Sequence, residues 1–472
     1  MLEWIICCLL IQRIQCCHLF IRQSEAKQIQ ILYLAFDQMP IRHAVLTLAV
    51  PTVISQLIVM VYNLADTWFI GQTGDPFQVA AVTLAYPLFM LLSAFANLFG
   101  IGGSSLISRL LGRQDADSAG RVGTFSIWAA AGVSVLYALI VRLFGRDLLE
   151  MMGAESMTLE FALQYLNWTV VIGGLPTVLN MVLGNIIRAQ GKAKTASYGM
   201  SLGGLLNIIL DPIFIFSLKM NVAGAALATA LSNTVSMVYL LTHVIVNRDR
   251  SIVKLTVFPK SITKTQFIEI LSIGTPAALQ IVLAALSNSV MLRLLNGYEA
   301  TAVSGLGIEH KVEIIPFQIV QGISSGILPL VAYNHASGNR KRRDEAISFA
   351  LRLGLAVSGV LFILIELVSP QIVRFFIANE DTIRYGAAFT RLRCLALPFI
   401  NIEFMLIAVF QAIGGAKEAL LLSFYRKGLI DLPLMVLANI IWPLYGLMLV
   451  QPFMECTGSI IALLLYRKER NQ

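Results

Sequence analysis

Charge is what this sequence has least of. Its 35 Lys/Arg and 27 Asp/Glu make up 13% of 472 residues, against 57% hydrophobic residues. A soluble domain of that length needs more charge to cover its surface, and the mean hydropathy of +0.76 points instead to a polytopic membrane protein. Histidine is scarce as well, at five residues. None falls in a His-Glu-x-x-His or zinc-ligand spacing, and no Gly-x-Gly-Asp occurs, so an intramembrane enzyme would lack its paired catalytic groups. The six cysteines build no disulfide framework: Cys7-Cys8 and Cys16-Cys17 are doublets, and Cys394 and Cys456 stand alone inside apolar runs. They read as reduced, structural thiols. There is no phosphate loop of the Gly-x4-Gly-Lys-Ser/Thr form, so ATP has no recognisable cradle. The small-residue runs Gly100-Ile-Gly102-Gly103 and Gly322-Ile-Ser-Ser-Gly326 follow no strand, which turns them from nucleotide binding toward close helix packing.

What is present is apolar length. At about 20 residues per span, twelve segments suffice to cross a bilayer: 43–70, 77–108, 122–144, 158–187, 195–217, 223–246, 267–295, 300–335, 345–369, 386–412, 418–440 and 444–466. The net charge of +8 is scattered between them and forms no continuous stripe, which argues against nucleic acid as a partner and for the lipid bilayer. One set of alternate loops (109–121, 188–194, 247–266, 337–346, 411–428 and 466–472) carries 21 Lys/Arg, and the other set carries 6. The positive-inside rule makes the first set cytoplasmic, with both ends of the membrane body on that side of a plasma (inner) membrane.

Residues 1–38 differ from the rest: a short apolar run broken at Arg13, with no small-residue cleavage site. This segment reads as an N-terminal extension that need not be native, with Met39 as an alternative start. From there the chain is doubled. Pro51 and Pro276 are 225 apart, as are Asn63 and Asn288; Gly191 and Gly414 are 223 apart, and Asp211 and Asp431 are 220 apart. The two units are an N-lobe at 39–246 and a C-lobe at 267–472, joined by a polar linker at 247–266. Six spans is an even number, so both units enter from the same side, as parallel repeats with a substrate site between them near the midplane.

Within this apolar body, Asn207-Ile-Ile-Leu-Asp211-Pro212 stands out. A charge at the bilayer centre costs roughly 2.5–3.5 kcal/mol on insertion scales, so an intramembrane acid is a functional candidate by default. Asn207 and Asp211 are one helical turn apart on one face, where an amide and a carboxylate can hold a cation. Pro212 removes a backbone N–H at the same point and frees a carbonyl near residue 208. Asp66 lies in the first span. Two carboxylates sharing a low-dielectric site are satisfied by one proton, or by one Na⁺ held with amide and hydroxyl oxygens. Met60, Tyr62, Glu309, Glu313 and Asp431 are candidates for a substrate cleft. Glu309 and Glu313, one turn apart with His310 and Lys311 between them, read equally well as members of an internal ion pair, and Asp431 as a relic of the duplication.

The doubled body, Asp66, Ile107-Ser-Arg-Leu-Leu-Gly112, Asn185-Ile-Ile-Arg188-Ala-Gln-Gly191, Leu210-Asp211-Pro212 and Tyr333-Asn334-His-Ala-Ser-Gly338-Asn339 together resemble the multidrug and toxin extrusion (MATE) family over residues 40–467. The resemblance implies an all-α fold of twelve transmembrane helices in two pseudo-symmetric six-helix bundles forming a V-shaped cleft. It also implies antiport of H⁺ or Na⁺ against amphipathic, often cationic drugs by alternating access, in a monomer with no cofactor beyond the coupling ion. It places Asp66, Asn207 and Asp211 in an N-lobe cation site, with Thr229 as its hydroxyl and Asn185 as the amide of span 4, Asn180 being the alternative. The acid that one subgroup carries in span 7 is Ala284 here. A lipid-linked oligosaccharide flippase of the same superfamily is the alternative reading; it would favour a strongly basic cavity, and intramembrane Arg/Lys look few.

Overall fold

A chain this apolar must satisfy every backbone N–H and C=O internally once inside lipid, and an α-helix does so within a single segment. The computed structural model describes residues 34–73, 75–247, 251–256, 261–295 and 297–470, and among them the body is helical throughout. The N-lobe comprises α1 (Ile41–Gly71), α2 (Pro76–Gly112), α3 (Ala116–Met151), α4, α5 (Ala193–Pro212, continued by the wider turn Ile213–Ser217) and α6 (Asn221–Val246). In α4, Ser156–Leu166 and Asn167–Ile172 lead into Gly174–Ala189. The C-lobe comprises α7 (Lys264–Leu295), α8 (Ala300–Ala336), α9 (Arg340–Phe376), α10 (Glu380–Cys394 with Leu397–Ile413), α11 (Ala416–Phe424, Tyr425–Leu429 and Asp431–Ile441) and α12 (Tyr445–Arg470).

Nine of these are long and apolar enough to cross a membrane singly, and α4 and α10 do so as bent pairs. The twelfth, α11, has Arg426 and Lys427 in its widened middle turn. Several helices outrun the apolar segments read from sequence, notably α3 and α9, because polar caps start them early. Asp115 accepts from Ser118 N at 3.0 Å, and Asn339 accepts from Arg342 N at 3.2 Å, each satisfying an otherwise orphan donor.

The duplication is visible in the backbone. α4 bends by 48° and α10 by 46°, at Gly173 and Ala396, which are 223 positions apart. The lobes meet through exchanged pairs, α2 along α7 and α1 along α8. Glycines allow this approach: Gly322 lies against Val53, Gly326 against Ala49 and Gly274 against the Leu98 carbonyl. At the end of the bundle that carries the linker, Arg109 Nη1 pairs with Glu269 at 3.1 Å and Ser105 Oγ donates to the Gln411 carbonyl at 2.5 Å. Among the described residues every hydrogen bond or ion pair between the lobes lies toward this linker end. The linker itself lies on the N-lobe, where Trp128 Nε1 donates to the Thr256 carbonyl at 3.0 Å and Ser251 Oγ donates to Gln190 Oε1 at 3.1 Å.

Residues 1–33, with the four paired cysteines, lie outside the described residues. Residues 34–38 are packed into the body. Phe36 is fully buried, its ring 5.2 Å from that of Tyr333 and beside Gly191. Its carbonyl accepts from Asn334 Nδ2 at 3.2 Å and Arg342 Nε at 2.6 Å. A lobe boundary at residue 39 therefore leaves out the segment Leu34–Gln38.

Candidate cation and substrate sites

α5 can carry an acid into the N-lobe because two glycines let it sit deep between its neighbours. A Cβ at Gly203 would collide with Ser236 Oγ of α6, and one at Gly204 would lie 2.7 Å from Ile58 Cγ2 and 3.1 Å from Tyr62 Cδ1 of α1. Asn207 and Asp211 follow at one-turn spacing on the same buried side, at 1% and 0% exposure. Asn207 uses both its amide hydrogens inward: Nδ2 donates to Asp211 Oδ1 and to Thr229 Oγ1, each at 3.3 Å. Asp66 is half-buried on α1 and close enough to Asp211 for the two charges to act on each other. Asp66 Oδ1, Asn207 Oδ1 and Asp211 Oδ2 are all buried without a hydrogen-bond partner among the described residues. Oxygens left in that state are costly unless a proton or cation completes them.

The structure thus brings together Asp66, Asn207, Asp211 and Thr229, but not Asn185. Asn185 lies 4 residues from the end of α4 at Ala189, and Asp211 lies 18 residues into α5 from Ala193. At 1.5 Å per residue these antiparallel positions are roughly 20 Å apart along the helices. Asn185 Oδ1 instead accepts from Arg188 Nη2 at 3.1 Å, near the linker end. Asn180 is the α4 amide that reaches α6, donating to Asn233 Oδ1 at 3.1 Å, one turn beyond Thr229. Tyr165 of α4 was not anticipated: it is buried and close enough to Asp66 and Asp211 to feel both charges. Its sequence neighbourhood is largely apolar, so only its place near the two acids singles it out.

Of the cleft candidates, Met60 is buried at 6% exposure and Tyr62 is half-buried beside Asp66. The C-lobe acids belong to an internal polar network. Arg393 of α10 pairs through Nε with Glu309 at 3.0 Å and through Nη2 with Glu313 at 2.7 Å, and Gln451 of α12 bridges Arg393 and Glu313. Glu309 and Glu313 therefore already have a counter-charge from a different helix, not from Lys311. His310 does face Glu309, at 3.3 Å. Asp431 accepts from Ser287 Oγ of α7 at 2.5 Å. Beside it Arg426 pairs with Glu455 at 2.7 Å and stacks over Phe404 at 4.2 Å, and the nearby Glu403 is fully buried with neither carboxylate oxygen hydrogen-bonded among the described residues. The expectation of few intramembrane basic residues fails here: Arg393 and Arg426 are 5% and 3% exposed, and Arg426 and Lys427, counted in a loop from sequence, lie within α11. Charged residues inside apolar runs were the available signal. Five acids nevertheless outnumber three bases in this network, so it does not form the basic cavity a flippase would favour.

The MatE family model matches this chain twice, over residues 51–213 and 276–437, the two matches starting at Pro51 and Pro276. The chain is 29% identical over 449 residues to the multidrug export protein MepA of Staphylococcus haemolyticus (strain JCSC1435), covering 94% of this chain and 97% of MepA. Among solved structures, MATE in complex with MaD3S superposes with a TM-score of 0.87 at 25% identity, covering 93% of this chain and 98% of that one. A multidrug-resistance MATE family transporter of the MOP superfamily in an outward-facing conformation superposes with a TM-score of 0.85 at 24% identity, covering 94% and 98%.

Proposed function

Because this chain belongs to the multidrug and toxin extrusion (MATE) family, we propose that it is a cation-coupled antiporter that exports amphipathic, often cationic compounds; the name of its relative, multidrug export protein MepA, supports the export of drugs. The observation that carries the coupling is the set of unpartnered oxygens on Asp66, Asn207 and Asp211. One H⁺ or one Na⁺ completes them, with Thr229 oriented by Asn207 at the same place. Tyr62 borders this site one turn before Asp66 on α1, so an entering drug and the coupling ion compete for one region of the N-lobe.

Downhill entry of the ion then drives exit of the drug. A singly charged ion crossing 100 mV gains roughly 2.3 kcal/mol, which sustains about a 50-fold substrate gradient. With Arg426 and Lys427 taken out of the loop tally, 21 less 2 leaves 19 Lys/Arg on the linker side against 6 on the other, so we place the linker end in the cytoplasm of a plasma (inner) membrane. The lobes meet at that end and the acids sit toward the opposite one, which corresponds to an outward-facing state of a monomeric clamshell.

The test is efflux of a fluorescent lipophilic cation from energised cells, with wild type and Asp211→Asn, in Na⁺ and then in choline. Loss in the variant at equal expression supports Asp211 as the coupling acid, and loss on Na⁺ removal identifies the ion as Na⁺ rather than H⁺. Normal export by Asp211→Asn refutes the coupling role.

A further inference from the structure

A small cavity of ≈ 30 Å³ lies between the lobes toward the linker end, away from the acids of α1 and α5. Its walls come in repeat-related pairs. Ile101 of α2 and Ser325 of α8 are 224 apart, Asn185 and Ala408 are 223 apart, and Arg188 and Gln411 are 223 apart. The cavity therefore lies on the pseudo-twofold axis of the molecule, and the pseudo-symmetry breaks at its charge: one lobe contributes an arginine where the other contributes an amide.

Arg188 is 6% exposed. Its guanidinium donates to Asn185 Oδ1 at 3.1 Å and to the thioether of Met200 at 3.5 Å, and among the described residues it has no carboxylate partner and no acid near enough to act on it. A thioether is a weak acceptor and an amide oxygen carries no charge, so one full positive charge is buried between the lobes uncompensated. Buried charges are ordinarily paired. The hydroxyl of Ser325 and the amide of Gln411 line the same space and can donate to an anion, while the Ser104 hydroxyl, also in the wall, already donates to the Ile101 carbonyl at 3.0 Å. The volume exceeds the roughly 10–15 Å³ that a single water needs, so the space admits a small ion.

We propose that this axial cavity is a binding site for a monatomic anion, chloride under ordinary conditions, with Arg188 as its counter-charge. Both lobes form its walls, so it exists only while they are joined at the linker end. Anion binding therefore favours that state, and separation of the lobes hydrates Arg188 and releases the ion. This dependence is separate from the cation at Asp211 and stands whichever ion drives transport.

Thermal unfolding of the purified full-length protein tests it, in sodium chloride, sodium bromide and sodium gluconate at equal ionic strength. The midpoint should rise with chloride and saturate, rise similarly with bromide, and stay lower in gluconate. Arg188→Gln should show the same midpoint in all three salts. Should that variant fail to fold, Ser325→Asp, which places a carboxylate in the same cavity, should lose the chloride response and match in gluconate the wild-type midpoint in chloride. Equal wild-type midpoints in chloride and gluconate would mean that the cavity holds water only and would overturn the proposal. A full chloride shift retained by Arg188→Gln or by Ser325→Asp overturns it equally.

Discussion

Asn207 stands between an acid and a hydroxyl, and both of its N–H groups are used. Replacing it by Leu leaves Asp211 Oδ1 and Thr229 Oγ1 without a donor inside the lobe, where each unsatisfied group costs about 1–3 kcal/mol. Asn207→Leu should therefore lower the thermal midpoint, whereas Asn207→Gln should lower it less; equal loss in both would argue that shape rather than hydrogen bonding matters. Arg426 and Glu455 give a second case. Removing one member of a buried pair typically costs about 3–5 kcal/mol because the other charge is stranded, while replacing both is far milder. Arg426→Met alone should destabilise more than Arg426→Met combined with Glu455→Gln in a denaturation series. If the double variant is the worse of the two, the pair is not the unit that matters. At this scale Asp66 and Asp211 were legible because charge in an apolar run is expensive. Asn185 was read into the site because two amides on one helix look equivalent until their height along it is known.

At the scale of elements, Gly203 and Gly204 decide how far α5 enters the N-lobe. A methyl at Gly204 meets Ile58 Cγ2 at 2.7 Å, and overpacking of this kind usually costs 1–3 kcal/mol. Gly204→Ala should reduce efflux although every site residue is intact, by pushing α1 with Asp66 away from α5, and Ile58→Ala in the same chain should restore part of it. No recovery would place the fault elsewhere. The twelve spans were readable from apolar length, because the bilayer sets that length. The bends of α4 and α10 were not read, although Pro176 and Pro398 stand two to three residues beyond the breaks at Gly173 and Ala396, where each removes a backbone N–H and leaves the carbonyl four residues earlier without an intrahelical donor. α11 was partly misread as well: Arg426 and Lys427 resemble a loop until Glu455, Asp431 and the ring of Phe404 are seen around them.

The whole molecule behaves as two lobes that touch at one end. Arg109, 9% exposed at its side chain, is held there by Glu269 at 3.1 Å. Glu269→Gln removes its counter-charge and should favour separation of the lobes at the linker end. In a background free of native cysteines, Ser105→Cys, at a position fully buried against the Gln411 carbonyl of the other lobe, should then react several-fold faster with a maleimide than it does with Glu269 present. An unchanged rate would mean that the ion pair does not hold the closure.

Class, span number, duplication and the two N-lobe acids were determined by the sequence alone. Each rests on a local cost that composition reveals: apolar length against bilayer thickness, charge against low dielectric, and anchors repeated at a near-constant offset. Tertiary structure alone decided which amide of α4 faces α6, which basic residues meet Glu309, Glu313 and Glu455, and that Arg188 meets no acid among the described residues. Those outcomes depend on the height and rotation of helices packed from distant parts of the chain, and residues more than 200 positions apart share a cavity only once two lobes have folded and closed against each other.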